Sequence, residues 1–170
     1  MSSSQIKNKN PFFYYWKASL KKGIKIKYPV DGFLSKHKFE NILIVYIRSL
    51  FKGLIYHRRF KNIETYCMFL GNQRSGHSLI ASLIDAHPNI AISHELNAMK
   101  YWAMGFNRNQ IFQMIIENDI AYGKRGRGES GYDYRVPGGY QGSSENLLVI
   151  GDKDGRRDTA QLTLFPDMMN

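Results

Sequence analysis

The stretch Gly71-Asn72-Gln73-Arg74-Ser75-Gly76-His77-Ser78 decides the fold that this sequence predicts. It lies between an apolar run, residues 66–70, with the character of a buried strand, and a helix-like run, residues 79–86. A strand that enters a helix through a glycine-containing turn directs several backbone N–H groups at one point, where the helix dipole also favours an anion. The layout therefore predicts a phosphate-binding loop.

The spacing of Gly71 and Gly76 is that of a Walker A loop, but the residues after the second glycine differ. A loop for nucleoside triphosphates needs Lys and then Ser or Thr at these positions. Here His77 occupies the Lys position, and a cation appears inside the loop instead, at Arg74. The loop is therefore better suited to a phosphate-like anion than to Mg-ATP. A P-loop nucleotide kinase or NTPase is one alternative, and a non-enzymatic basic protein associated with membrane or RNA is the other.

The segments around the loop alternate between strand and helix patterns. A helix over 77–86 is expected to end at His87, because the residue before a proline is pushed out of the helical region. A short strand over 90–93 follows, and the β-loop-α-β order implies a right-handed crossover and a parallel sheet, with ligand at the carboxyl ends of the strands. A further helix over 110–119 and a buried strand over 147–150 complete the predicted α/β domain, a P-loop NTPase-like parallel sheet flanked by helices.

The run Arg74-Ser75-Gly76-His77-Ser78-Leu79, then Asp85-Ala86-His87-Pro88 and then Glu95, resembles the opening of a PAPS-dependent sulfotransferase. The likeness is closest to the tyrosylprotein and carbohydrate-type branches, in which an Arg-Ser-Gly-Thr loop holds the donor and a Glu soon after a His-Pro turn is the base. Glu95 follows Arg74 by 21 residues, as expected from the tyrosylprotein branch, whereas His77 replaces the usual Thr. The resemblance extends from about residue 66 to the C-terminus.

The resemblance implies a site and a cofactor, PAPS. Glu95 would be the base, with His94 as the competing candidate, and the cations Arg74 and Lys153 would stabilise charge on the leaving phosphate. Lys153 ends a Val-Ile-Gly-Asp-Lys block that resembles the strand carrying the catalytic Lys of the family. The donor's phosphate would be held by five consecutive loop residues, Arg74, Ser75, Gly76, His77 and Ser78. No metal is required, and the five histidines show no helical His-x-x-x-His pair.

The acceptor stays open among a small alcohol or amine, a saccharide and a protein tyrosine, since a fold does not transfer substrate choice. The family's grip on the donor's 3′-phosphate comes from a strand and helix after the Lys-bearing strand. Only residues 154–170 follow Lys153 in this sequence. We therefore expect an N-terminal part of a longer domain, or a truncated copy, with weak PAPS affinity.

Composition sets broader limits. The 170 residues are 43% apolar and carry a net charge of +10, which suits a folded domain that attracts anions. Cys67 is the only cysteine, so an intrachain disulfide is excluded and a reducing, cytoplasmic location is expected. We find no signal peptide, and the best membrane candidate, 42–56, is interrupted by charges and too short to span.

We expect residues 1–64 to form a basic, aromatic N-terminal extension and residues 65–170 to form the domain that resembles a sulfotransferase. Between 39 and 60, apolar residues recur at three- and four-residue steps, which predicts an amphipathic helix. Its basic face is expected to be solvated while the helix packs on the domain; peripheral contact with an anionic membrane is the alternative. Residues 123–144 are rich in glycine and arginine and are expected to form a mobile loop. Its Arg-Gly-Arg-Gly portion leaves RNA contact as a lesser alternative, and no specific nucleic acid is expected.

Overall fold

The computed structural model describes residues 40–154, with the exception of Gln73. The segment 1–39 and residues 155–170, on which the expectation of an incomplete C-terminus rests, lie outside the described residues. The described elements are, in chain order, α1 (Glu40–Ile55), a 3-10 helix (His57–Phe60), β1 (Thr65–Met68), α2 (His77–Asp85), β2 (Ile90–His94), α3 (Ala98–Ala103), α4 (Arg108–Lys124), β3 (Gly128–Glu129), β4 (Tyr132–Asp133) and β5 (Val149–Lys153).

The main sheet has three parallel strands in the order β1-β5-β2, so that the last strand in the sequence lies in the centre. Helices α2 and α4 pack against β2, and α1 packs against α4. The predicted α/β class with a parallel sheet flanked by helices is therefore confirmed. The strands β1 and β2 do not pair with each other, and each pairs with β5 instead.

The central strand β5 lies close to its neighbour because residue 151 is a glycine. A Cβ at this position would collide with the carbonyl oxygen of Cys67, its partner in β1. A sheet position with no side chain commonly marks a close backbone approach. Cys67 itself is half-buried, and burial raises the pKa of its thiol, in keeping with a packing role.

The hydrophobic core lies between α4 and the sheet. Its largest fully buried apolar side chains include Phe60, Ile111, Met114, Ile115 and Ile150. Helix α4 begins with a capping box, in which Asn107 accepts from the Gln110 N–H and the Gln110 side chain accepts from the Asn107 N–H. Such reciprocal bonds satisfy two backbone donors that a helix start otherwise leaves unpaired. Helix α4 is longer at both ends than the predicted 110–119.

Part of the predicted loop 123–144 forms the short β3–β4 hairpin, and a buried charged residue anchors this segment to α2 and α4. Arg127 pairs with Asp85 at the end of α2 and with Asp119 in α4. All three side chains are at most 4% exposed. Within the Arg-Gly-Arg-Gly portion, Arg127 is therefore buried, whereas Arg125 is exposed, and contact of this portion with RNA stays an untested alternative.

Candidate functional site

The carboxyl ends of the three parallel strands form the edge at which the site residues lie. Strand β1 leads into the glycine loop, β2 ends at His94, and β5 ends at Lys153. The register pairs His94 with Lys153, and the Glu95 N–H donates to the Lys153 carbonyl at 2.9 Å. Parallel pairing therefore places three segments that are distant in sequence side by side, as expected for a ligand site in an open α/β sheet.

Lys153 is the centre of this arrangement. Its ammonium nitrogen donates to the Ser78 hydroxyl oxygen at 3.0 Å and to Glu95 Oε1 at 3.3 Å. The Lys153 side chain is almost fully buried, whereas that of Glu95 is 25% exposed. A buried ammonium is costly unless it is paired and hydrogen-bonded, and Ser78 and Glu95 supply those partners. One cation thus contacts both the predicted donor loop and the predicted base.

Glu95 is held in an unusual backbone conformation. Its φ is +54°, and that of Asn97 is +64°, in the left-handed region that non-glycine residues seldom occupy. The turn is held from inside by the carboxylate of Asp152, which accepts bonds from the Ser93 hydroxyl (2.6 Å) and from the N–H groups of Leu96 (3.1 Å) and Ala98 (2.9 Å). Backbone strain of this kind is often found at functional sites.

Asp152 is a residue whose role the sequence did not reveal. It is fully buried, and burial raises the pKa of its carboxyl, while the hydrogen bonds from Ser93 and the backbone act in the opposite direction. In the sequence, the only indication of a role for Asp152 is its place before Lys153 at the end of a predicted strand. The sequence does not show that the Asp152 carboxylate turns inward to hold the Glu95 turn, while Lys153 contacts the Glu95 side chain.

The glycine loop meets α2 as predicted. Gly76 is the N-cap residue at φ +80°, a left-handed conformation that glycine adopts without strain. Its carbonyl accepts from the N–H groups of Leu79 and Ile80. The first N–H groups of a helix have no partner inside the helix, so those of His77 and Ser78 can serve an anion.

Arg74 is separate from the Lys153 cluster in this conformation. It is exposed in the loop at φ +63°. Ser75 Oγ lies 2.9 Å from His77 Nδ1, so these two loop side chains pair with each other. Burial and, secondarily, the Lys153 charge lower the pKa of His77, whereas Glu95 acts to raise it. The net direction favours a neutral imidazole at the position where a Walker loop has its Lys.

The alternative base His94 lies in a different environment from Glu95. Its ring stacks on Tyr122 with centroids 4.4 Å apart, and its Nε2 lies 3.0 Å from Glu129 Oε2 in the β3–β4 hairpin. Ligand atoms of His94, Glu95 and Glu129 lie within 4.8 Å of one another, a grouping that the sequence did not indicate. Each of these carboxylates has a protein neighbour, since Lys153 lies 3.3 Å from Glu95 and His94 lies 3.0 Å from Glu129.

The structure thus brings together Ser78, Glu95 and Lys153, places Ser75 and His77 beside them at the start of α2, and leaves Arg74 exposed. Glu129 is the neighbour that sequence analysis missed, because it lies 34 residues beyond Glu95 in a glycine-rich segment without a motif. In comparisons with known proteins, no family model, curated protein or solved structure matches this chain.

Proposed function

We propose that this chain binds PAPS and transfers its sulfonate group to a hydroxyl or amine acceptor. The observation that carries the proposal is the contact of Lys153 with both Ser78 and Glu95. In this reaction Ser78 would hold the donor, Lys153 would stabilise the leaving group and Glu95 would be the base. The Lys153 ammonium lies within hydrogen-bond distance of both other side chains.

The α2 N-terminus would hold the 5′-phosphate, with N–H groups of the first turn and the Ser78 hydroxyl as donors. The acceptor oxygen or nitrogen forms a bond to sulfur as the bond between sulfur and the bridging phosphate oxygen breaks. The acceptor proton passes to the Glu95 carboxylate, and the phosphate leaves with the bonding electrons. Such a base contributes about 10²- to 10⁴-fold to a rate.

Lys153 would act on the leaving group. Its ammonium lies between the phosphate side of the site, at Ser78, and the acceptor side, at Glu95. Preorganised positive charge in a water-excluded site stabilises the negative charge that builds on the bridging oxygen.

The test is a thermal-shift titration of the full chain with PAP, the desulfonated donor, and in parallel with Mg-ATP. A ligand of the native state raises the thermal midpoint by mass action. We expect PAP to stabilise the chain more than Mg-ATP, and Ser78→Ala to reduce the PAP effect. Ser143→Ala, at an exposed serine outside the site, is the matched control. Stabilisation by Mg-ATP alone would favour a nucleotide kinase or NTPase, and no response to either ligand would count against the proposal.

A further inference from the structure

The outward surface of α1 is strongly apolar. Six large aliphatic or aromatic side chains on this helix are 40% to 68% exposed. On a helix of 3.6 residues per turn they occupy one continuous arc, which we call the α1 apolar face. Its members are Leu43, Ile44, Ile47, Phe51, Leu54 and Ile55.

The opposite side of α1 explains why these residues face outward. The buried residues of α1 recur every four positions and are of small or medium size: Val45, Ser49 and Gly53. Ile42 and Tyr46 on the same side are partly buried and pack against the core. The Gln110 amide of α4 donates to Ser49 Oγ and to the Tyr46 carbonyl, each at 3.0 Å. A Cβ on Gly53 would lie 3.1 Å from the backbone of α4's first turn. Close packing and buried hydrogen bonds thus fix the rotation of the helix.

The α1 apolar face is bordered by basic residues. Arg48 and Lys52 follow it along the helix, and the exposed residues Arg58, Arg59 and Lys61 continue from its C-terminal end. Two of these cations also have protein partners, since Lys52 pairs with Glu117 and Arg59 donates to the Ser144 carbonyl. Between 40 and 61 the sequence has a single acid, at the first position of α1.

The positive charge of the chain is concentrated in its N-terminal part, which includes α1. Residues 1–61 contain 14 lysines and arginines against two acids, whereas residues 62–170 contain 10 against 12. The positive surplus therefore belongs entirely to the segment that ends with α1 and the 3-10 helix. The α/β part with the candidate site is not basic.

We propose that the α1 apolar face docks on an anionic lipid bilayer, with the helix lying in the plane of the membrane interface. A broad apolar face with a basic border is the pattern of helices that bury their apolar side at the headgroup boundary. Each nearby Lys or Arg adds attraction to anionic headgroups. Across residues 40–154, no helix combines the length and hydropathy needed to cross a membrane.

Charge also argues against two other occupants of this face. A second copy of the chain would bring the basic borders of two α1 helices together, and like charges at an interface oppose association. Residues 1–39 contain nine lysines and one aspartate, so they are repelled by the same border and attracted to the same lipid.

The experiment is co-sedimentation of the full chain with vesicles of phosphatidylcholine, alone or mixed with phosphatidylserine. Because the lysines of 1–39 also favour anionic lipid, the decisive variants are apolar. Leu54→Gln removes an exposed leucine of the face, and we expect it to weaken binding roughly ten-fold. Leu83→Gln is the matched control, because this leucine of α2 is 58% exposed, against 61% for Leu54. We expect this control to bind as the wild type does.

Two charge-reversal variants test the contribution of the basic border. Arg58→Glu should weaken binding to the mixed vesicles roughly five-fold or more, and Lys124→Glu, at an exposed lysine outside the border, should not. Equal binding of the Leu54→Gln and wild-type chains would overturn the proposal and assign lipid attraction to residues 1–39 alone. A lipid-independent dimer that Leu54→Gln dissociates would assign the face to a second copy and also overturn it.

Discussion

Lys153 and Glu95 lie 58 residues apart in the sequence, yet the lysine ammonium is 3.3 Å from the glutamate carboxylate. The pair forms because β5 inserts between β1 and β2 and ends beside the last residue of β2. The Lys153 side chain is buried and that of Glu95 is partly exposed, and Lys153 also contacts Ser78 in the first turn of α2.

Glu95→Gln should abolish sulfonate transfer while leaving PAP binding nearly unchanged, because the base acts on the acceptor. We expect a rate loss of about 10²- to 10⁴-fold. The measurements are transfer from PAPS to a panel of acceptors and PAP titration. Glu145→Gln, at an exposed glutamate outside the site, is the matched control. Transfer at the wild-type rate by Glu95→Gln would move the role of base to His94.

Arg74→Ala should weaken PAP binding and slow transfer, since its guanidinium would contact charge that is present in the donor and grows in the transition state. Arg74 is exposed in the present conformation, so we expect little change in the stability of the ligand-free chain. Arg125→Ala provides a comparison at another exposed arginine. PAP affinity equal to that of the wild type would place Arg74 outside the donor site.

Asp85 should make the stability of the chain fall as pH rises. Burial, and then the neighbouring Asp119 charge, raise the pKa of the Asp85 carboxyl to about 8, although the Ile92 N–H and the Arg127 charge act in the opposite direction. The unfolded carboxyl has a pKa of about 3.9, so between about pH 4 and pH 8 the native state holds a proton that the unfolded state has lost. The stabilisation is complete below the unfolded pKa and is lost as pH rises through the folded one.

The measurement is the Tm of the wild type and of Asp85→Asn, whose amide mimics the protonated carboxyl. Between about pH 5 and about pH 9 the wild type should lose at least roughly 4 °C relative to the variant. Asp133→Asn is the control, because Arg135 lowers the pKa of this exposed carboxyl to about 2 and it stays ionised throughout. A constant difference between wild type and Asp85→Asn would show that the buried acid is ionised at all these pH values.

Gly151→Ala should destabilise the fold, because the added methyl group meets the Cys67 carbonyl across the β1–β5 pair. Overpacking of this kind costs typically about 1–3 kcal/mol, which chemical denaturation can measure. Gly128→Ala serves as the control, since a Cβ there has an ordinary contact at 3.9 Å. Equal effects of the two substitutions would mean that β5 can move away from β1 at little cost.

The sequence alone determined the local elements around the glycine loop. The apolar run before it and the helix starting at His77 follow from composition and glycine placement, and the structure confirms a strand at Thr65–Met68 and a helix at His77–Asp85. The strand Ile90–His94 and its parallel orientation to β1 follow from the same β-loop-α-β order, although each of the two strands pairs with β5. These features depend on residues near one another in the chain, which is why pattern and propensity can predict them.

The tertiary structure alone decided which distant residues meet. No local pattern shows that β5 occupies the centre of the sheet, that Asp152 holds the Glu95 turn, or that Arg127 is buried between Asp85 and Asp119. The rotation of α1 is a further case. Its period predicted an apolar side facing the protein, but hydrogen bonds to Gln110 and the close approach of Gly53 turn the small residues inward. Hydrophobic periodicity finds the apolar side of a helix, whereas packing against a specific neighbour decides which side is buried.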